Sequence, residues 1–488
     1  MLSCGRHVTM LTEGTYPHVH GGVSTWCDQL VRGMPEVDFQ VVALTGSGRE
    51  PVAWELPPNV YRHTSFPLWG PEPAPRRLPR RERRRFLDIY ERFLLSLLDP
   101  AAGCDFGAAL DELTGYARDG RLTAALRSES VLRSLMWIWT MPHLEISAAR
   151  PTVHDALTAT DLLEHALRPL AARIPDDAVA HAVSAGLATL PALAAQHVDG
   201  VPFLLTEHGI YLRERYLGYR AQAQRAPVKT LMLSFYRELN SLGYRRADLI
   251  TPCNRYNRRW EERGGAPAER IRTVYNGVDP HAFPDAGPEP DVPTLSWAGR
   301  IDPIKDLETL IRAYAMVRAE LPAVRLRLFG GVPAGGEAYR VRLEKLAAEL
   351  GVVDGIAWEG RVRDVARAYA AGSVVLLSSI SEGFPFSLIE AMSCGRATVS
   401  TDVGGVREAV GDTGLVVPPR EPALMAEATL GLLRDAGRRA ELGRRARQRV
   451  VDRFTLTRSV DGFRRIYREL AGFPEPVAQP RYAEAVAG

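Results

Sequence analysis

The sequence predicts an α/β protein built from two doubly wound domains. Three observations carry this expectation: 488 residues exceed what one hydrophobic core serves, a βαβ pattern opens the chain, and a second α/β series follows a stretch crowded with Pro, Asp and Gly.

The opening unit reads as strand "HVTML" (7–11), a Gly-rich turn "HGGVS" (20–24), the helically spaced "TWCDQLVRGM" (25–34) and a second strand "FQVVAL" (39–44). From about residue 67 to 175 the rhythm turns helical, with i, i+3, i+4 apolar spacing in segments 84–98, 122–139 and 158–174. Alternation returns over 177–196, and strand candidates follow at 201–209, 247–254 and 271–277. Residues 279–293 read as an interdomain linker. Beyond it, strands are expected at 294–299, 324–330, 355–360, 373–379, 397–401 and 414–419, with amphipathic helices between them. A last helical stretch covers 457–470, and the tail after Gly472 reads as frayed. Open α/β sheets bind ligands outside the carboxyl ends of their strands, so the cleft between two such domains is where an active site is expected.

Composition excludes several classes. A net charge of +3 gives no global drive toward nucleic acid or membrane. The five cysteines (Cys4, Cys27, Cys104, Cys253, Cys394) are widely spaced, with no C-x-x-C pair, which argues against a disulfide framework or a zinc site and fits a reducing cytosol. No apolar run approaches the ~20 residues that span a bilayer, and the opening "MLSCGRHVTML" lacks the pattern of an export signal. A soluble, cytoplasmic protein is expected.

The chemistry concentrates in "SEGFPFSLIEAM" (381–392). Glu382 falls in the loop at a strand's carboxyl end, a helix begins near Phe386, and Glu390 lies about one turn into it. Gly383, Phe384 and Pro385 form the approach, and the amides of Phe386, Ser387 and Leu388 occupy the first turn, where unsatisfied N–H groups and the helix dipole suit an anion. A carboxylate suits sugar hydroxyls, since its oxygens accept several hydrogen bonds. Sugar, phosphate and sugar contacts in series are the layout of a nucleotide sugar. The bland alternative is two solvated acids with nothing bound. In "WAGRIDPIKD" (297–306), Arg300 and Lys305 stand at the same edge, where paired cations suit a diphosphate whose charge grows as its bond to the sugar breaks. Isolated Arg and Lys are more often plain surface residues. Gly21 and Gly22 let backbone approach a ligand, although many Gly pairs only make turns. His208 ends the strand "LLTEH" and brings to the cleft edge an imidazole or a backbone carbonyl able to act at a sugar, although a lone His is more often structural.

These motifs, in this order over nearly the whole chain, resemble the retaining glycosyltransferases of family four, which have the GT-B fold. "TEGTYPHVHGGVSTWCDQL", the helical insertion, "LLTEHGIYLRERY" and "RIDPIKD" look like the subgroup containing the cytosolic glycosyltransferase of Pel exopolysaccharide biosynthesis. The resemblance implies two Rossmann-like domains facing a cleft: residues 1–285 on the acceptor side, with the insertion at about 67–175; 293–455 for the nucleotide sugar; and a helix at 456–476 bracing the first domain. It assigns Glu390 to the ribose, Glu382 with the Gly383–Phe386 backbone to the donor sugar, Arg300 and Lys305 to the diphosphate, His208 to the anomeric carbon and Gly22 to the distal phosphate. It further implies a UDP-sugar as donor substrate, a saccharide or lipid acceptor, a role in exopolysaccharide or glycoconjugate biosynthesis, no cofactor and no metal; the lack of a D-x-D motif agrees with the last. Two departures stand out. "GGVS" lacks the acidic residue many members place after the glycines, and the insertion has no counterpart in minimal members.

Two rival readings share the architecture: a non-catalytic nucleotide-sugar-binding subunit of a synthase complex, and a GT-B sugar-nucleotide epimerase. The basic run Arg76–Arg85 is a solvated loop and helix start on one reading; on the other it docks the protein on an anionic lipid surface or membrane-associated synthase complex at the membrane's inner face. Trp137 and Trp139 are expected in the core.

Overall fold

The computed structural model describes residues 7–70, 76, 78–144, 150–333 and 335–471. Cys4, Arg77 and the last five residues of the 456–476 segment lie outside them. Backbone contacts divide the chain into two compact units, one drawn from Met1–Leu205, Arg215–Leu249 and Asp461–Gly488, the other from Thr206–Glu214 and Ile250–Val460.

Among the described residues, twelve strands build two six-stranded sheets. β1 (His7–Glu13), β2 (Asp38–Thr45), β3 (Val60–Pro67), β4 (Ala178–Ala182), β5 (Phe203–Glu207) and β6 (Leu249–Pro252) run in the order β3-β2-β1-β4-β5-β6. β7 (Thr294–Ala298), β8 (Arg325–Phe329), β9 (Ile356–Gly360), β10 (Val374–Leu377), β11 (Ala397–Thr401) and β12 (Leu415–Val417) run in the order β12-β11-β10-β7-β8-β9. Pairing is parallel, as in β1 with β2 and β10 with β11. The strands are apolar runs because both faces are covered: Leu295, Trp297, Leu326 and Leu328 pack on Leu310, Tyr314 and Leu343 on one side of the second sheet, while Leu377 meets Ile389 and Met392 on the other.

Segment 271–277 is no strand and contributes one bridge, Ile271 to Ile250. β3 was not anticipated, because a half-buried edge strand reading VYRHTSFP carries no apolar run. Trp139 is buried, but Trp137 is 56% exposed, so only one of the pair joins the core.

The insertion folds as helices Arg80–Leu98, Phe106–Arg118, Leu122–Leu126, Glu129–Trp139 and Val153–Leu167, around Phe86, Tyr90, Phe93 and Leu94. Segment 279–293 has no helix or strand and is strapped to the second unit: Arg396 donates to the carbonyls of Gly287 (2.9 Å) and Pro288 (3.0 Å), and Ala286 N–H donates to Cys394 O. In the first unit, the helix Leu456–Ala471 brings Tyr467 Oη within 2.7 Å of His181 Nδ1. Among the described residues no helix is long and apolar enough to cross a membrane.

Candidate active site

In the second sheet β7 and β10 are neighbours, although two strands separate them in sequence, so the connections leave in opposite directions between them. Such a switch point opens a crevice at the carboxyl ends of the strands. The loops after β7 and β10 flank it and are bonded together: Ile380 N–H donates to Ile304 O (2.9 Å), and Ser378 Oγ–H to Lys305 O (2.7 Å). This puts Lys305 from one loop beside Glu382 from the other, with Arg300 earlier on the first loop.

Glu382 Oε1 accepts from Lys305 Nζ and from Ser379 Oγ, both at 2.6 Å. Oε2 has no partner among the described residues. Lys305 pairs with a carboxylate here, yet an ammonium has three N–H donors and two remain for another anion. Arg300 is exposed with no ion pair among the described residues, while the backbone on either side is pinned, Gly299 N–H to Phe329 O (2.9 Å) and Ile301 N–H to Gly331 O (3.0 Å).

Pro385 precedes the helix Phe386–Ser393, where its missing N–H costs nothing. The amides of Phe386 and Ser387 make no hydrogen bond among the described residues. That of Leu388, expected to be free, donates to Pro385 O at 3.2 Å because the first turn tightens. One turn on, Glu390 Oε2 accepts from Tyr369 Oη at 2.6 Å, and Oε1 has no partner among the described residues. Glu390 is partly accessible, but the burial of its carboxyl pushes it up to about 7.

His208 lies beside this loop. Its carbonyl accepts from Cys253 Sγ (3.4 Å) and lies so close to Gly383 that a Cβ there would stand 1.8 Å from the oxygen. Burial pushes the imidazole down to about 4, so it is neutral at physiological pH. Behind the loop, Gly405 N–H donates to Gly383 O (2.7 Å), and a Cβ on Gly404, whose φ is 53°, would meet Glu382 O at 1.8 Å. Phe384 O accepts from Asn276 Nδ2 (2.9 Å). Gly21 and Gly22 belong to the first unit, where Gly21, with φ 173°, precedes the helix Gly22–Arg32.

Ser379, Tyr369, Gly404 and Gly405 went unnoticed in the sequence. The glycine pair of "DVGGV" follows a strand much as Gly21–Gly22 does and could have been found that way; Tyr369, 21 residues from Glu390, leaves no local signal. Among the described residues, Asp161, Glu164 and His165 are spaced to hold a metal ion, but Glu164 is already ion-paired with Arg127 and Arg168.

Residues 6–269 match the family model described as a domain of unknown function (DUF3492), and residues 292–435 match that described as glycosyl transferases group 1. A D-inositol 3-phosphate glycosyltransferase from Acidothermus cellulolyticus is 32% identical over 239 residues, 46% of this chain and 53% of that protein. The chain thus spans about half the length of the curated relatives it matches. Sucrose-phosphate synthase from Thermosynechococcus elongatus superposes with a TM-score of 0.62 at 19% identity, over 95% of this chain and 99% of that one. HepE from Anabaena in complex with UDP superposes with a TM-score of 0.62 at 15% identity, over 95% and 100%; its complex with UDP-glucose gives 0.60 at 15% identity, over the same shares. These likenesses, with the two parallel sheets, establish the GT-B fold.

Proposed function

We propose, because the chain belongs to the DUF3492 family and its residues 292–435 match glycosyl transferases group 1, that it is a retaining glycosyltransferase using a nucleotide sugar, a UDP-sugar by preference. The observation that carries this reading is the half-satisfied state of both carboxylates. Glu382 and Glu390 each have one oxygen held by a neighbour and the other without a partner, and the unbonded amides of Phe386 and Ser387 lie between them in sequence. Core or surface acids do not need that arrangement; a sugar, a diphosphate and a ribose in series do. The UDP and UDP-glucose complexes of the structural neighbour HepE support the choice of donor.

In this reading Glu382 Oε2 accepts from the donor sugar's hydroxyls and Glu390 from the ribose. The Phe386 and Ser387 amides, Arg300 and the remaining donors of Lys305 neutralise the diphosphate, in the place of a divalent cation. The bond from the anomeric carbon to the diphosphate oxygen breaks as the acceptor oxygen attacks the same face, and the acceptor's proton passes to the departing diphosphate. His208 stands at the anomeric carbon. The acceptor is a saccharide or lipid in exopolysaccharide or glycoconjugate assembly. Arg76, Arg80, Arg81, Arg83, Arg84 and Arg85, all exposed and most at a helix N-terminus whose dipole disfavours cations, support docking on an anionic membrane. Vesicles with anionic lipid should pull the protein down while neutral vesicles leave it in solution.

Thermal melting with UDP, GDP, ADP and TDP in EDTA tests the donor site, because a ligand of the native state raises Tm. UDP alone should shift it, and Glu382→Ala should keep the fold while losing turnover. No shift with any nucleotide would sink the proposal.

A further inference from the structure

We infer that Tyr369 is a positioning residue of this site, holding Oε2 of Glu390 so that Oε1 is presented to the vicinal hydroxyls of the nucleotide's ribose. The inference rests on the nucleotide-sugar reading above and adds to it a residue that touches no ligand.

Tyr369 sits on the short helix Val365–Ala370 with its ring 1% exposed, packed among Val375, Ala391 and Cys394. A ring enclosed on all sides cannot swing away, so its hydroxyl is a fixed point in the second unit. Another buried tyrosine of the unit shows what a purely structural hydroxyl does: Tyr314 Oη donates to the backbone carbonyls of Val324 and Gly355, both at 3.0 Å, and touches nothing functional. Tyr369 Oη ends instead on a partly accessible carboxylate whose other oxygen has no partner among the described residues. Burial, and then the charge of Glu390, hold the phenol well above its ordinary value, so it keeps its proton and always donates.

A Glu side chain has three torsions to order, and two hydroxyls on one sugar can both bond a carboxylate only if its plane is correctly set. Occupying Oε2 from below settles that plane before the ligand arrives, which lowers the ordering cost of binding. Above about pH 7, where Glu390 is ionised, a hydrogen bond to its charged group is worth ~1.5–3 kcal/mol, so its loss should weaken diol binding there by about 10-fold or more.

The test titrates UDP, GDP and ADP, each beside its 2′,3′-dideoxy form, into the wild-type protein and Tyr369→Phe. Wild type should prefer the ribose form of the nucleotide it binds. Tyr369→Phe should lose about 10-fold for the ribose form and almost nothing for the dideoxy form, and in donor hydrolysis the loss should fall on KM with kcat retained. Glu390→Gln, which leaves the core ring untouched, should lose the same preference, and adding Tyr369→Phe to Glu390→Ala should change nothing further. Equal losses for both nucleotide forms, or a Tyr369→Phe protein that keeps the wild-type preference, would overturn the inference while leaving the donor site standing. So would a wild type that binds nucleotide without preferring the ribose. A wild type that binds none of the three would overturn both.

Discussion

Replacing Gly383 with alanine adds one methyl group where the structure has no room for it. The new Cβ would stand 1.8 Å from the carbonyl oxygen of His208 and 3.0 Å from its carbon, when real Cβ contacts under 3.0 Å essentially never occur. The two backbones must therefore part by more than about 1 Å. Neither can do so freely. Gly383 is held from behind by Gly405 N–H at 2.7 Å, and Gly405 is itself packed against Asn254 and Phe384; the His208 carbonyl accepts from Cys253. Overpacking of this kind costs about 1–3 kcal/mol of stability. A 1 Å displacement at a reacting centre costs roughly 100-fold in rate. Gly383→Ala should accordingly lower Tm by several degrees and donor hydrolysis by about two orders of magnitude, measured by thermal melting and by nucleotide release. Gly21→Ala is the control for stability, since a Cβ there meets nothing within 4 Å and its φ is extended. A Gly383→Ala protein with wild-type Tm and turnover would show that the loop is not held against His208, and the steric reasoning would be wrong.

Glu261 is fully buried, and desolvation first, then the charge of Glu207, pushes its carboxyl up to about 9. The folded state thus keeps a proton that the unfolded chain releases above about 4.5, and stability falls as pH rises through that window, by about 1.4 kcal/mol per unit for one proton. Melts from pH 5.5 to 8 should show a shallower decline for Glu261→Gln than for wild type; identical slopes would refute the assignment. His208 runs the opposite way: pushed down to about 4 by burial, it is neutral when folded, while the unfolded imidazole takes up a proton below 6.5, so its contribution to stability grows from about pH 4 to 6.5. An NMR titration placing its midpoint near 6.5 would contradict this. Arg300→Ala removes an exposed side chain without an ion pair, so Tm should hold within about 0.5 kcal/mol while turnover falls roughly 100-fold; Lys305→Ala should lose turnover and Tm together, because Glu382 keeps only Ser379 on its bonded oxygen. Equal Tm losses in the two variants would mean that Arg300 is structural.

The local chemistry of contiguous residues encodes the coarse architecture of this protein and the position of its binding loop. Alternating apolar strands and helices announced two doubly wound units, and the run Gly383-Phe384-Pro385 set a helix start at Phe386 with an acid on either side. Both features are properties of contiguous residues, where propensity, periodicity and a missing proline N–H act within a few positions. β3 escaped because a half-buried edge strand needs no apolar run, and Trp137 was misread because one helix face turns outward while the next position turns in. Only the tertiary structure decided which strands are neighbours, and hence that the loops after β7 and β10 share one crevice. It also decided which oxygen of each carboxylate is left to bind: Lys305 reaches Glu382 across 77 residues and Tyr369 reaches Glu390 across 21. The carbonyl of His208, packed on Gly383, is more remote still in sequence, 383 against 208. Spacing along the chain cannot encode such partners, because they meet only after the sheet has ordered its strands and the cores have closed.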